Sequence, residues 1–333
     1  MKRRDFVAGL VIASAMRPAV AQQPATAKRM AWVTAALKVD DLRAETFPRY
    51  RAFFKELNGQ GYVEGRNLVV ERYSGEGQTE RYGELARDVV GTRPDLIFAP
   101  TGQLASAFKR ATTEIPIVTI TADPVALGIV SSLARPGGNI TGVTIDGGIQ
   151  LYEKRLQLLK ELVPNLSKAF YLATQAHWET YPHGRAFREA ATHANISLIP
   201  ILLGRAFTEA AYENAFRSME QQRADAVLPS DEGEHLFYKA ALVNLVAKSR
   251  LPSIFAFREF VDVGGLMAYS TDLTDVLRRA ATQIASILNG KKPQDVPFNE
   301  PTKFEFVINM KTAKTLGIDM PPTLLARADE VIE

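Results

Sequence analysis

The chain has 333 residues, 46% of them hydrophobic and 23% charged, with 22 Gly, 18 Pro and no Cys. That length predicts two domains of ordinary size, and the lack of cysteine excludes disulfide scaffolds, zinc-thiolate centres, thiol nucleophiles and a lipid-modified N-terminal Cys. A mean hydropathy of −0.08, with no apolar run of about 18 residues, excludes a polytopic membrane protein.

The formal charge of +3 is concentrated at the start. Residues 1–21 read as a secretory signal peptide: Lys2, Arg3 and Arg4, then a short apolar stretch at 6–16, then Ala19-Val20-Ala21 as a cleavage site. Arg3-Arg4-Asp5-Phe6 is similar to a twin-arginine signal, and general export fits equally well. Removing residues 1–21 takes four basic side chains and one acidic one, which leaves 36 of each sign. A neutral mature chain gives no electrostatic case for nucleic acid or for an anionic membrane surface. The expected product is exported and periplasmic, with no lipid anchor.

Residues 22–28 are polar with Pro and Ala, and read as a flexible leader. Short apolar runs then alternate with amphipathic stretches. Strands are predicted at 30–34, 68–73, 96–99, 117–121, 140–145, 169–173, 198–203, 226–229, 254–257 and 266–270. Many are continuous rather than alternating, as in strands covered by helices on both faces. Helical stripes lie between them: Tyr82, Leu85, Ala86 and Val89; Tyr152, Leu156, Leu159 and Val163; and Leu273 to Ile287, closed by Asn289-Gly290. The alternation implies an α/β fold of two Rossmann-like lobes with parallel sheets. No flexible linker separates the halves, so crossing strands are expected near 146–148, 263–265 and 299–302, with glycine pairs at the first two suited to a hinge.

Catalytic signatures are missing. The nearest dinucleotide fingerprint, Gly75-Glu76-Gly77-Gln78-Thr79-Glu80, has a carboxylate in place of its third glycine. There is no phosphate loop and no Gly-x-Ser-x-Gly elbow. The four histidines, His177, His183, His193 and His235, form no zinc motif. Asp231-Glu232-Gly233-Glu234-His235 has a metal-like composition but no metal-ligand spacing, so helix capping or ligand contact is the better reading. No cofactor and no metal are expected.

Open α/β sheets bind ligands at the carboxyl ends of their strands. The loops there supply the candidate site: Thr34 and Ala35; Thr101, Gly102 and Gln103; Asp123; Gln175 and Trp178; Ser230 and Asp231; and Phe257. These hydroxyls, amides, carboxylates and aromatics suit a small polar or zwitterionic ligand with an apolar part.

Four stretches then carry a resemblance. They are Asp123 to Gly142 (DPVALGIVSSLARPGGNITG); Phe257-Arg258-Glu259-Phe260 with Gly264-Gly265-Leu266-Met267; Pro301 to Asn309 (PTKFEFVIN); and the closing Lys311-Thr312-Ala313-Lys314 through Leu325 to Glu330. Together they resemble the ABC-transporter substrate-binding proteins related to the tryptophan-binding TrpX type, across nearly the whole mature chain. The resemblance implies a type I periplasmic binding protein fold whose cleft closes on ligand. It also implies a division into lobe one, 29–145 plus 266–300, and lobe two, 146–265 plus 301–333. This chain departs from the family in carrying Ser230-Asp231-Glu232-Gly233 where Asp-Pro is common.

The expected function is therefore an extracytoplasmic solute receptor of an ABC importer. It would bind an amino acid or an aromatic or branched carboxylate, deliver it to a permease in the inner membrane, and act as a monomer. Thr101, Gln103 and helix N-termini would hold a carboxylate, Asp123 or Asp231 an amine, and Trp178 with Phe257 the apolar part. An exported ligand sensor is the alternative within the same class; an exported α/β hydrolase or dehydrogenase is the alternative outside it.

Overall fold

The computed structural model describes residues 27–35, 37–145, 148–204, 207–219 and 222–333. The expected signal peptide, residues 22–26 of the leader, and Asp146 and Gly147 of the first expected crossing lie outside the described residues.

The first lobe is built from β1 (Lys28–Thr34), α1 (Pro48–Gly59), β2 (Leu68–Ser74), α2 (Tyr82–Gly91), β3 (Leu96–Ala99), α3 (Gly102–Ala111), β4 (Ile117–Thr121) and β5 (Ile140–Thr144). Its five strands run parallel in the order β2-β1-β3-β4-β5. Alternate residues feed two cores, as the two-residue period of a strand requires. Met30, Trp32, Leu96 and Phe98 join Phe53 of α1 on one face. Ala31, Val33, Ile97 and Ala99 join Ala86 of α2 and Phe108 of α3 on the other. Burial on both faces explains why these strands are written as unbroken apolar runs.

The second lobe follows with α4 (Ile149–Leu162), β6 (Lys168–Thr174), α5 (Gln175–Glu179), α6 (Pro182–His193), β7 (Ser197–Leu203), α7 (Glu209–Met219), β8 (Ala226–Pro229), α8 (Lys239–Ser249), β9 (Ile254–Phe255), α9 (Arg258–Val261) and β10 (Met267–Thr271). Strands β7-β6-β8 form one ladder, and a Val227–Ser253 bridge connects it to β9 and β10. The chain then returns to lobe one as α10 (Leu273–Leu288), whose Val276, Ala280 and Ile284 pack in the core with Phe53. It ends in lobe two with β11 (Phe304–Asn309), α11 (Met310–Leu316), α12 (Pro322–Leu325) and β12 (Glu330–Ile332). Strand β11 is antiparallel to β10 and parallel to β12.

Three expectations need correction. Lys28 is not leader but the first residue of β1, paired with Leu68. Residues 266–271 do not open the return to lobe one, because β10 is held between β9 and β11 of lobe two; the chain crosses at Asp272 instead. Gly264-Gly265 is therefore no hinge. A Cβ on Gly265 would stand 2.8 Å from both the Phe255 ring and the Phe260 carbonyl oxygen, so this glycine serves close packing inside lobe two. The crossing segments are tied to one another: Thr271 Oγ1 donates to the Ile145 carbonyl at 3.0 Å, and the Asp272 amide donates to that of Lys303 at 3.1 Å. No helix among the described residues is long and apolar enough to cross a membrane.

Candidate functional site

A cavity of about 700 Å³ lies between the lobes at the carboxyl ends of their strands. Lobe one contributes Trp32, Thr34 and Ala35 from β1 and its loop, and Thr101, Gly102 and Gln103 from the start of α3. Thr101 caps α3: its Oγ1 accepts from the Leu104 amide at 3.3 Å. The positive end of that helix's dipole therefore meets the cavity.

Lobe two presents the opposite charge. Asp231, Glu232 and Glu234 all line the cavity, with His177, Tyr181 and His183 beside them. Their surroundings differ sharply. Glu232 accepts from the Thr174 amide at 2.9 Å, the Thr174 hydroxyl at 2.5 Å and the Ser230 hydroxyl at 2.8 Å. Beneath it, the Tyr212 hydroxyl lies 2.6 Å from His235 Nδ1, and His235 Nε2 lies 2.9 Å from Ser230 Oγ. With Ser230 donating to Glu232, His235 is left as a neutral ring that donates from Nε2 and accepts at Nδ1. Burial favours the same form and pushes its pKa down to about 4.

Asp231 accepts from the Tyr152 hydroxyl at 2.9 Å and faces His177 Nε2 at 3.7 Å. Burial opposes its ionisation, but His177, His183, Arg155 and that hydroxyl together outweigh burial and hold the carboxyl below its usual range. Glu234 is 3% exposed and its Oε1 has no partner. Burial, reinforced by the charge of Glu232, pushes its carboxyl up to about 7. Among the described residues no group of three or more His, Asp or Glu is placed to hold a metal ion.

The lobes touch around this cavity. Arg49 of α1 donates to Glu259 of α9 at 2.7 Å, both side chains about nine-tenths buried. The Arg49 guanidinium sits over Phe47 at 4.5 Å, and the Lys239 ammonium of α8 approaches the same ring at 5.2 Å. Gln103 of lobe one and Tyr181 of lobe two both line the cavity, from opposite sides.

A sequence model of the ABC transporter substrate binding protein family matches residues 46–332, nearly the whole described chain. The chain belongs to that family. This substrate-binding protein is 26% identical over 270 residues to the tyrosine-binding protein of Clostridioides difficile (strain R20291), covering 80% of this chain and 76% of the relative. Among solved structures it is similar to a conserved domain protein from Vibrio cholerae, with a TM-score of 0.82, 23% identity, and 92% and 100% of the two chains covered. It is also similar to an ABC domain in complex with L-Trp from Streptococcus pneumoniae, with a TM-score of 0.81, 22% identity and the same coverage. A ligand-free, open substrate binding protein from Clostridium difficile matches with a TM-score of 0.60, at 20% identity and covering 92% and 99% of the chains. These likenesses establish the type I periplasmic binding protein fold.

Of the residues singled out from the sequence, Thr34, Ala35, Thr101, Gly102, Gln103, Asp231 and Phe257 line the substrate-binding protein's cavity. Four do not. Asp123 turns back to accept from the Val125 and Ala126 amides at 3.0 and 2.9 Å, closing its own turn. Gln175 reaches along α5 to Glu179 at 3.1 Å. Trp178 packs beside Tyr171, ring centroids 5.8 Å apart, under the Arg188 guanidinium. Ser230 is buried under the wall as a relay between His235 and Glu232.

The residues missed are Trp32, Tyr82, His177, Tyr181 and His183, whereas Glu232 and Glu234 stand in the acidic cluster that the sequence offers for capping or ligand contact. Trp32 carried a usable signal, since it precedes Thr34 by two residues in β1 and so shares its face. The histidines carried none, because their position depends on how α5 and α6 pack.

Proposed function

We propose that this substrate-binding protein is an extracytoplasmic receptor that captures an aromatic α-amino acid between its lobes and passes it to a membrane permease. One observation carries the reading. Buried polar atoms in folded proteins are nearly always paired, yet three unpaired ones, Trp32 Nε1, His183 Nε2 and Glu234 Oε1, belong to residues lining this single cavity. A polar ligand satisfies such atoms. The wall charges give its polarity: a carboxylate belongs at the N-terminus of α3, and an ammonium group at the acidic loop of lobe two. Trp32, Tyr50, Tyr82 and Phe257 supply the aromatic surface for the side chain. The tyrosine-binding relative and the L-Trp complex point to the same ligand class.

Capture in this reading needs no covalent step. A ligand touching both lobes favours the closed arrangement by its differential contacts, a shift of population rather than a reaction. The test is a thermal-shift screen against the amino acids and their deaminated analogues. L-tyrosine, L-tryptophan or L-phenylalanine is expected to raise Tm, since a ligand at 100 times its Kd stabilises by about 2.7 kcal/mol. A screen in which no amino acid moves Tm, or in which the deaminated acids move it equally, defeats the proposal.

A further inference from the structure

The three carboxylates of the acidic loop are not equivalent, and their differences assign their roles. Glu232 has three donors on its two oxygens and is spent on holding Thr174 and Ser230 in place. Asp231 is held by Tyr152 and faced by His177. Glu234 alone is buried against the cavity with an oxygen that nothing satisfies.

Its own backbone amide alone favours the carboxylate; the side chains that face it offer no relief. They are Glu232 and the neutral His235 on its own loop, Tyr82 of α2 across the cleft, Tyr181 after α5, and Tyr212 of α7. No cationic side chain among the described residues offsets its charge.

We propose that Glu234 is the residue that selects the ligand's ammonium group, releasing its own proton to solvent as it takes that group as a carboxylate. The inference rests on the amino-acid reading above and deepens it by naming the atom that tells an amino acid from its deaminated analogue. Charge and protons balance: a neutral carboxylic acid and an ammonium ion become a carboxylate–ammonium pair and one free proton. The carboxyl, pushed up to about 7 before binding, is the source of that proton. Affinity therefore rises with pH up to about 7 and levels off above it, by about tenfold between pH 6 and 8.

The experiment is titration calorimetry of the purified protein with L-tyrosine and L-tryptophan at pH 6, 7 and 8. Each titration is run in two buffers of different ionisation enthalpy, so that the buffer dependence of the heat counts protons. Wild-type protein is expected to release about half a proton at pH 7. The Glu234→Gln variant is expected to release none, to lose the pH slope, and to prefer L-tyrosine over 3-(4-hydroxyphenyl)propionate at least tenfold less than wild type. Glu305→Gln is the control. Its carboxyl is also raised to about 7 by burial, but it pairs with Arg258 outside the cavity, so this variant keeps both slope and proton release.

Amino-acid binding with no proton exchange in wild type, or with the slope retained in Glu234→Gln, overturns the role of Glu234 and leaves the amino-acid reading standing. No heat from any amino acid at any pH overturns both.

Discussion

Glu234 and His235 are neighbours whose titrations burial shifts in opposite directions. Glu234 keeps its proton to about pH 7 when folded, against about 4.5 in the unfolded chain, so stability falls as pH rises through that window and is constant above it. His235 stays neutral down to about pH 4 when folded, against 6.5 unfolded, so stability falls as pH drops through that window. The two slopes oppose each other where the windows overlap, and the ligand-free protein should change little in Tm between pH 5 and 6.5. Glu234→Gln exposes the histidine slope alone: its Tm should climb across that range. At pH 8 the variant should exceed wild type, by no more than about 3 kcal/mol for a fully buried carboxylate. Thermal melts at four pH values decide it, and parallel curves for the two proteins would refute the assignment of the carboxyl. The acidic loop itself was legible in the sequence as a ligand-facing cluster. Which of its carboxylates is free was not, because that depends on Thr174 and Tyr152, which arrive from other elements.

At the scale of elements, the lobe-two wall depends on how closely two helices meet. A Cβ on Gly184 of α6 would stand 2.0 Å from the His177 carbonyl oxygen of α5. Gly184→Ala must therefore push α6 away or move His177, at a cost of about 1–3 kcal/mol for overpacking. It should also weaken ligand binding several-fold, since His177 and His183 both line the cavity. Unchanged Tm and affinity would show that the contact is slack. Strands and their order of appearance are readable from the chain because a parallel sheet covered on both faces demands continuous apolar runs, as at 30–33 and 96–99. Two readings failed for physical reasons. Gly264-Gly265 looks like a pivot but is a packing site, and Trp178 in a loop looks like a ligand contact whereas Trp32, written like core, is the tryptophan at the cavity.

For the whole molecule, the Arg49–Glu259 pair is the contact that spans the cleft in the most buried setting. Glu259 Oε2 has no hydrogen-bond partner, and Arg49 is the cation that meets this carboxylate directly, with Lys239 farther off. Breaking one side of a buried pair costs about 3–5 kcal/mol when the other charge stays buried. Opening the lobes hydrates Glu259 and avoids that cost, so Arg49→Met should favour the open form. The expected readings are a larger radius of gyration without ligand and an affinity reduced about 100-fold, the loss that a closing penalty near 3 kcal/mol produces. Arg49→Met combined with Glu259→Gln should recover part of it, because the stranded charge is gone. A double variant as weak as the single one would place the effect in the packing of Arg49 on Phe47 or in its place on the cavity wall instead.

The division of the described residues between two bodies, joined through the segments near Ile145, Asp272 and Lys303, has a practical consequence. The protein contains no cysteine, so a thiol introduced into each body is the sole attachment point there. Val39 and Val263, 42% and 39% exposed, offer one such position on either side. A donor and acceptor dye on Val39→Cys and Val263→Cys would report the angle between the bodies as an optical distance. The receptor would thereby become its own gauge of which solutes it closes upon.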